Sequence, residues 1–167
     1  MDELQATVRL TLEEGYRFAV EMDRPEWALV VDEAPPLGQG TGPNPARLLA
    51  VAVGHCLSSS LLFCLRKARV DGARVRTTVT ATIRRNARGR WRVSGLQVTM
   101  AVDGIDPAQQ GAVGRCQQVF EDYCIVTESV RHGVPVDVAL EVREASGAGE
   151  SGRDRIGAGG PTAYTDR

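Results

Sequence analysis

The chain has 167 residues, 43% hydrophobic and 25% charged, with a formal net charge of −1. That length and balance suit one domain and exclude a generally polycationic binder of nucleic acid or of membrane surfaces. With two histidines and four cysteines, none of them in a C-x-x-C pair, no zinc-ligand spacing is present and no metal or cofactor is expected.

The N-terminus shows no charged segment leading into an early apolar run. No signal peptide is expected, and the cytoplasm is the default location. From residue 4 to 33 the apolar residues alternate, as Ala6, Val8, Leu10, Leu12 and then Tyr16, Phe18, Val20, Met22, with Glu13-Glu14-Gly15 between the two runs. This period of two predicts a hairpin, and a third strand is expected over Trp27 to Asp32 after the turn at Asp23-Arg24-Pro25. Residues 34 to 45, with four prolines and three glycines, read as a loop. Its end, Asn44-Pro45, reads as an N-cap followed by proline at the first helical position.

The organising stretch is ARLLAVAVGHCLSSSLLFCLRKAR, from Ala46 to about Arg69. It predicts one long helix that is apolar round nearly its whole circumference and therefore buried on all sides or set in a membrane. Its uncharged run spans about 27 Å, close to a bilayer core. Gly54-His55 at its centre, the serines Ser58 to Ser60 and the amphipathic strands on either side favour burial in protein, so no membrane is expected. The serines can bond back to carbonyls one turn earlier.

Beyond the helix, Val75, Thr77, Val79, Ala81 and Ile83 alternate with Arg76, Thr78, Thr80, Thr82 and Arg84, and Leu96, Val98, Met100 and Val102 return after a turn at Asn86 to Gly89. This is a second, longer hairpin with one buried side. A second helix is expected from Asp106-Pro107, with Val113, Cys116, Phe120 and Tyr123 on one face. A short helical piece from about Cys124 to Val130 and a last strand over Val134 to Val142 follow. Residues 145–167 are glycine-rich and charged without periodicity, which predicts a disordered tail after a domain of residues 1–144.

The order of elements makes the fold α+β. One sheet cannot cover the central helix on every side, which predicts a homodimer whose apolar helices share a core. Residues 1 to 33 carry nine acids and three arginines, while residues 74 to 92 carry seven arginines and no acid. The arginine hairpin, with Trp91 as a stacking ring, has the elements of a nucleic-acid surface. A solvated sheet face opposite the acidic strands explains it more simply, so no nucleic-acid partner is expected.

Cysteine chemistry needs a thiolate, and Cys56 lies too far inside its helix for that helix's N-terminus to help. Burial raises its pKa, so a cation must approach it; Arg47 is on the wrong helical face, and Arg17 of the N-terminal hairpin is the better candidate. His55 points about 100° away from Cys56 round the helix and reads as a polar group satisfied in the core or an interface. Some of the four cysteines can equally be buried filler.

The segment GPNPARLLAVAVGHC and the later CQQVFEDYCIVTESVRHGVPVDV together resemble the OsmC/Ohr family of peroxide-reducing proteins, over roughly Leu4 to Val142. The resemblance implies an intertwined homodimer, with antiparallel sheets packed around two long central helices. It implies that Cys56 attacks a small organic hydroperoxide and becomes a sulfenic acid, that Cys124 closes a disulfide with it, and that a dithiol or lipoyl-type donor reduces the pair. Cys64 and Cys116 then read as core fillers, although four cysteines leave other pairings open. The alternative is a redox-responsive or ligand-binding dimer of the same fold without fast turnover. Ala46 stands where well-characterised members carry the glutamate that holds an arginine.

Overall fold

The computed structural model describes residues 3–143. The tail expected over residues 145–167 lies outside them. The chain divides into one compact unit ending at Arg131 and a second beginning at His132.

In the first unit, β1 (Arg9–Glu14), β2 (Arg17–Glu21) and β3 (Leu29–Val31) form a three-stranded antiparallel sheet in sequence order. The β1–β2 hairpin is the predicted one, turning at Gly15 with φ +55°, a left-handed conformation that glycine adopts without steric cost. The third strand is shorter than expected because Pro25–Trp27 forms a 3-10 turn, which holds the chain out of the sheet until Leu29.

The long helix α1 spans Pro45–Lys67. Asn44 caps it as predicted: its side chain accepts from the Arg47 amide at 3.1 Å, and Pro45 occupies the first turn. At the other end Arg69, at φ +56°, lets the Val70 amide reach back to the Leu65 carbonyl, satisfying one of the orphaned acceptors there. By length and composition α1 is apolar enough to cross a membrane. In the fold Val53, Gly54, Leu57, Ser60, Leu61 and Leu65 are buried, whereas Val51 and Phe63 are exposed, so this chain alone does not cover the helix on all sides as expected.

Strands β4 (Arg74–Arg85) and β5 (Trp91–Asp103) form the second hairpin. The pairing passes from Thr82↔Gly95 to Ile83↔Val93, which leaves Ser94 as a bulge whose hydroxyl donates to the Thr82 carbonyl. Inner residues Val75, Thr77, Val79, Leu96, Val98 and Met100 are part-buried, as the alternation predicts, whereas Ile83, expected on the same side, lies past the bulge and is 45% exposed. Gly54 permits a close approach to β4, since a Cβ there would lie 2.7 Å from Val79 Cγ2. One turn on, the Ser58 hydroxyl bonds back to the Gly54 carbonyl and also meets Thr77 Oγ1, both at 2.7 Å.

The expected second helix is broken into a 3-10 turn at Pro107–Gln109, helix α2 (Gln110–Val119) and a further 3-10 turn at Phe120–Tyr123. Helix α3 (Ile125–His132) follows. Two buried clusters form the core, one around Leu61, Leu65, Val70 and Cys116, the other around Val53, Leu57 and Cys124, and Phe120 packs against both.

The last predicted strand is not formed. Residues 133–143 carry no regular structure, although Val134, Val136, Val138, Leu140 and Val142 keep their alternation and are 60–87% exposed. An extended run becomes a strand only when a neighbouring backbone takes its amide and carbonyl groups, and the described chain supplies none.

Candidate functional site

Cys56 and Cys124 are 68 residues apart in sequence and packed together in one cluster in space. Cys56 projects from the middle of α1 and is half-buried, while Cys124 is fully buried at the junction between the Phe120–Tyr123 turn and α3. Cys124 sits as the residue before the first turn of α3: its carbonyl accepts from the Glu128 amide, and its Sγ lies 3.0 Å from Thr127 Oγ1. The thiol donates to that oxygen when protonated, and the hydroxyl can turn round to donate to a thiolate.

Both sulfurs face the N-terminus of α3, where backbone amides have no helical partner. Burial raises the pKa of Cys124, but the Thr127 hydroxyl, the Cys56 thiol and the amides of Thr127 and Val126 outweigh it and leave Cys124 below its ordinary value. For Cys56 burial prevails over the amides of Val126 and Ile125, and the neighbouring Cys124 pushes the same way, so its pKa is raised. Of the two, Cys124 is therefore the more acidic thiol. The helix dipole absent at Cys56 from its own helix is supplied by another. A cysteine three residues before a threonine at the start of a helix was the available signal, and it passed unread.

Arg17, the expected activator, lies in β2 and pairs with Glu13 at 2.8 Å. It is not among the groups that shift Cys56. His55 is exposed on α1 rather than enclosed in the chain's own core, on a shallow groove with Arg47 and Ser58. Within the arginine hairpin, Arg85 stacks on Trp91 at 4.6 Å and donates to the Gly89 carbonyl, while Arg76 pairs with Asp103 at 2.9 Å. Arg85 thus covers one face of the Trp91 ring, which is 59% exposed.

Cys64 and Cys116 are not fillers. They are joined in a disulfide, with Cα atoms 5.7 Å apart. The apolar surroundings that suggested filler hold both sulfurs, one from α1 and one from α2, against each other. Among the described residues no group of three or more His, Cys, Asp or Glu side chains is arranged to hold a metal ion.

Leu57, next to Cys56, and Thr127, the partner of Cys124, help to wall a cavity of about 760 Å³ with Leu61 of α1, Val98 and Met100 of β5, and Phe120; neither cysteine lines it. Arg131, on the same face of α3 as Thr127, lines it too. Its guanidinium is held by Glu121 at 2.5 Å and Glu128 at 2.8 Å, which fastens the turn before Cys124 to the helix after it. Ahead of α1, Asp32 is buried, and its Oδ2 accepts from the amides of Gln39 and Thr41 and from the Thr41 hydroxyl. These bonds fix the loop that delivers Asn44 to the helix start.

The sequence pattern of the OsmC-like protein family matches residues 38–139, well over half the chain and both halves of the thiol pair. The chain belongs to that family. Solved structures agree on the fold. A hypothetical protein from Aquifex aeolicus VF5 superimposes with a TM-score of 0.60 at 19% identity, covering 78% of this chain and 89% of that one. An OsmC-like protein of unknown function from Vibrio cholerae O1 gives 0.62 at 14% identity, over 76% and 94%. A protein from Legionella pneumophila described as an organic hydroperoxide resistance protein OsmC gives 0.53 at 17% identity, over 78% and 92%. No curated protein matches the chain in sequence. The likeness extends over about three quarters of this chain and shows a shared fold, which in this chain is an α+β arrangement with antiparallel sheets.

Proposed function

We propose that this OsmC-like protein reduces small organic hydroperoxides with Cys56 as the attacking thiol and Cys124 as the resolving one. The observation that carries the reading is the thiol pair itself: two cysteines from distant segments, packed in one cluster with Val53 and Leu57, both of which also line a cavity. Cys56 is the more accessible of the two and thus the one an entering peroxide reaches.

The chemistry balances within the pair and its donor. The Cys124 thiolate takes the Cys56 proton, and the Cys56 thiolate attacks the distal peroxide oxygen. As the O–O bond breaks, Cys56 becomes a sulfenic acid and the departing alkoxide takes the proton back from Cys124 to leave as the alcohol. The regenerated Cys124 thiolate then attacks the Cys56 sulfur and closes a disulfide; the hydroxide released takes a proton from solvent. A dithiol or lipoyl-type donor returns two electrons and two protons by exchange. The apolar walls favour an alkyl over an aqueous peroxide.

A homodimer in the cytoplasm is part of this reading. Exposed Val51 and Phe63 on α1 and the unpaired alternation of Val134 to Val142 support a second copy as the covering surface. In such a dimer Arg17 of one chain is the candidate to hold developing charge at Cys56 of the other. The alternative, a ligand-binding or redox-responsive dimer without fast turnover, is favoured by the raised pKa of Cys56 and by Ala46 in place of a glutamate.

Mass spectrometry after a stoichiometric pulse of an aliphatic hydroperoxide separates the two. Rapid formation of a Cys56–Cys124 disulfide, with Cys56 trapped as a sulfenic or higher acid in Cys124→Ser and no trapping in Cys56→Ser, is expected. Both thiols unchanged over minutes would sink the peroxidase reading in favour of the alternative.

A further inference from the structure

The disulfide between Cys64 and Cys116 stands in register with the thiol pair. Cys64 follows Cys56 on α1 by eight residues, and Cys116 precedes Cys124 by eight. Equal offsets in opposite senses mean that α1 and the segment from α2 to α3 run antiparallel, with one cysteine pair at each end of their contact. Along α1 the offset is about 12 Å, too far for thiol exchange between the pairs without a carrier.

The sulfurs differ in their surroundings. Cys116 is 1% exposed in the apolar cluster of Leu61, Leu65 and Val70, and Cys64 is half-buried at its edge. A small dithiol therefore attacks at Cys64 and must expel the Cys116 thiolate into an apolar setting, where burial disfavours the charge and makes it a poor leaving group. When the same donor opens a Cys56–Cys124 disulfide at Cys56, the departing Cys124 thiolate is received by the Thr127 hydroxyl and the α3 amides.

The two pairs are also mechanically joined. Phe120 lies midway between Cys116 and Cys124 and packs against both buried clusters. Tying α2 to α1 thereby fixes the turn that carries Cys124.

We infer that Cys64–Cys116 is a second dithiol/disulfide site, opened by small dithiols more slowly than the Cys56–Cys124 pair, and that its closure holds Cys124 within reach of Cys56. Opening breaks one S–S bond. Two electrons and two protons pass from the donor dithiol to Cys64 and Cys116, and the donor closes its own disulfide. This deepens the proposed function by naming a regulator of its thiol pair, but it is tested without peroxide.

The full chain, purified without reductant, is peptide-mapped for disulfides and, after diamide closes Cys56–Cys124, treated with graded dithiothreitol. The expected result is a mapped Cys64–Cys116 link that opens at least about tenfold more slowly than Cys56–Cys124. Closure of Cys56–Cys124 by diamide is then timed in two forms of the same protein, with Cys64–Cys116 bonded and with all four thiols reduced, and in Cys64→Ser as a permanently open form. Closure at least about fivefold faster in the bonded form is expected. An unlinked Cys64 and Cys116, equal opening rates, or equal closure rates in the bonded and reduced forms would each overturn the inference. A protein that passes these tests yet ignores hydroperoxide loses only the peroxidase reading.

Discussion

Cys124 combines full burial with a lowered pKa because the Thr127 hydroxyl and the first amides of α3 solvate its thiolate where water does not reach. Removing the hydroxyl leaves burial to act with less opposition. In Cys56→Ser, where Cys124 is the free thiol of the described chain, adding Thr127→Ala is expected to move the thiolate titration to higher pH by about half a unit to one unit, read from ultraviolet thiolate absorbance. Thr127→Ser should restore it. The sign carries over to stability. A thiol whose folded pKa is depressed contributes stability above its unfolded pKa and loses it as pH falls through the folded value. The stability gained with rising pH below about 9 should therefore shrink in Thr127→Ala.

At the scale of elements, α1 rides on β4 because position 54 has no side chain. The sequence marked Gly54 only as an interruption of the apolar run, whereas in the fold a Cβ there would lie 2.7 Å from Val79 Cγ2. Gly54→Val adds helix propensity worth a few tenths of a kcal/mol. It also forces a branched side chain into the stiff Val79, an overpacking cost of about 1–3 kcal/mol. Packing outweighs propensity, so a lower midpoint in urea with an unchanged slope is expected. Periodicity revealed both hairpins and α1 because each has a sustained apolar face. It missed the breaks at Pro25–Trp27 and Phe120–Tyr123, where 3-10 turns of three and four residues interrupt a run without changing its composition.

For the whole molecule, what remains uncovered is as informative as what is buried. Val51 and Phe63 on α1 are 65% and 62% exposed, and five apolar residues over Val134 to Val142 lack a sheet. Burying such side chains is worth about 1.5–3 kcal/mol each, which a second copy can collect. Sedimentation is expected to give twice the 18.0 kDa chain mass, and the double variant Val136→Asp/Val138→Asp is expected to weaken association at least about tenfold. A native protein that sediments as one chain at micromolar concentration would refute the shared core.

The sequence by itself determined the α+β class, both hairpins, the N-cap of α1 and the family motifs around Cys56 and Cys124, because capping, alternation and helical spacing act over a few residues. Only the tertiary structure decided which cysteines bond. The four cysteines look alike in sequence, and pairing depends on how α1 lies antiparallel to the segment from α2 to α3. The acidity of the thiol pair was equally a tertiary matter: the amides and hydroxyl that set it belong to α3, a helix remote in sequence from Cys56, and solvation of a buried charge depends on what is near in space.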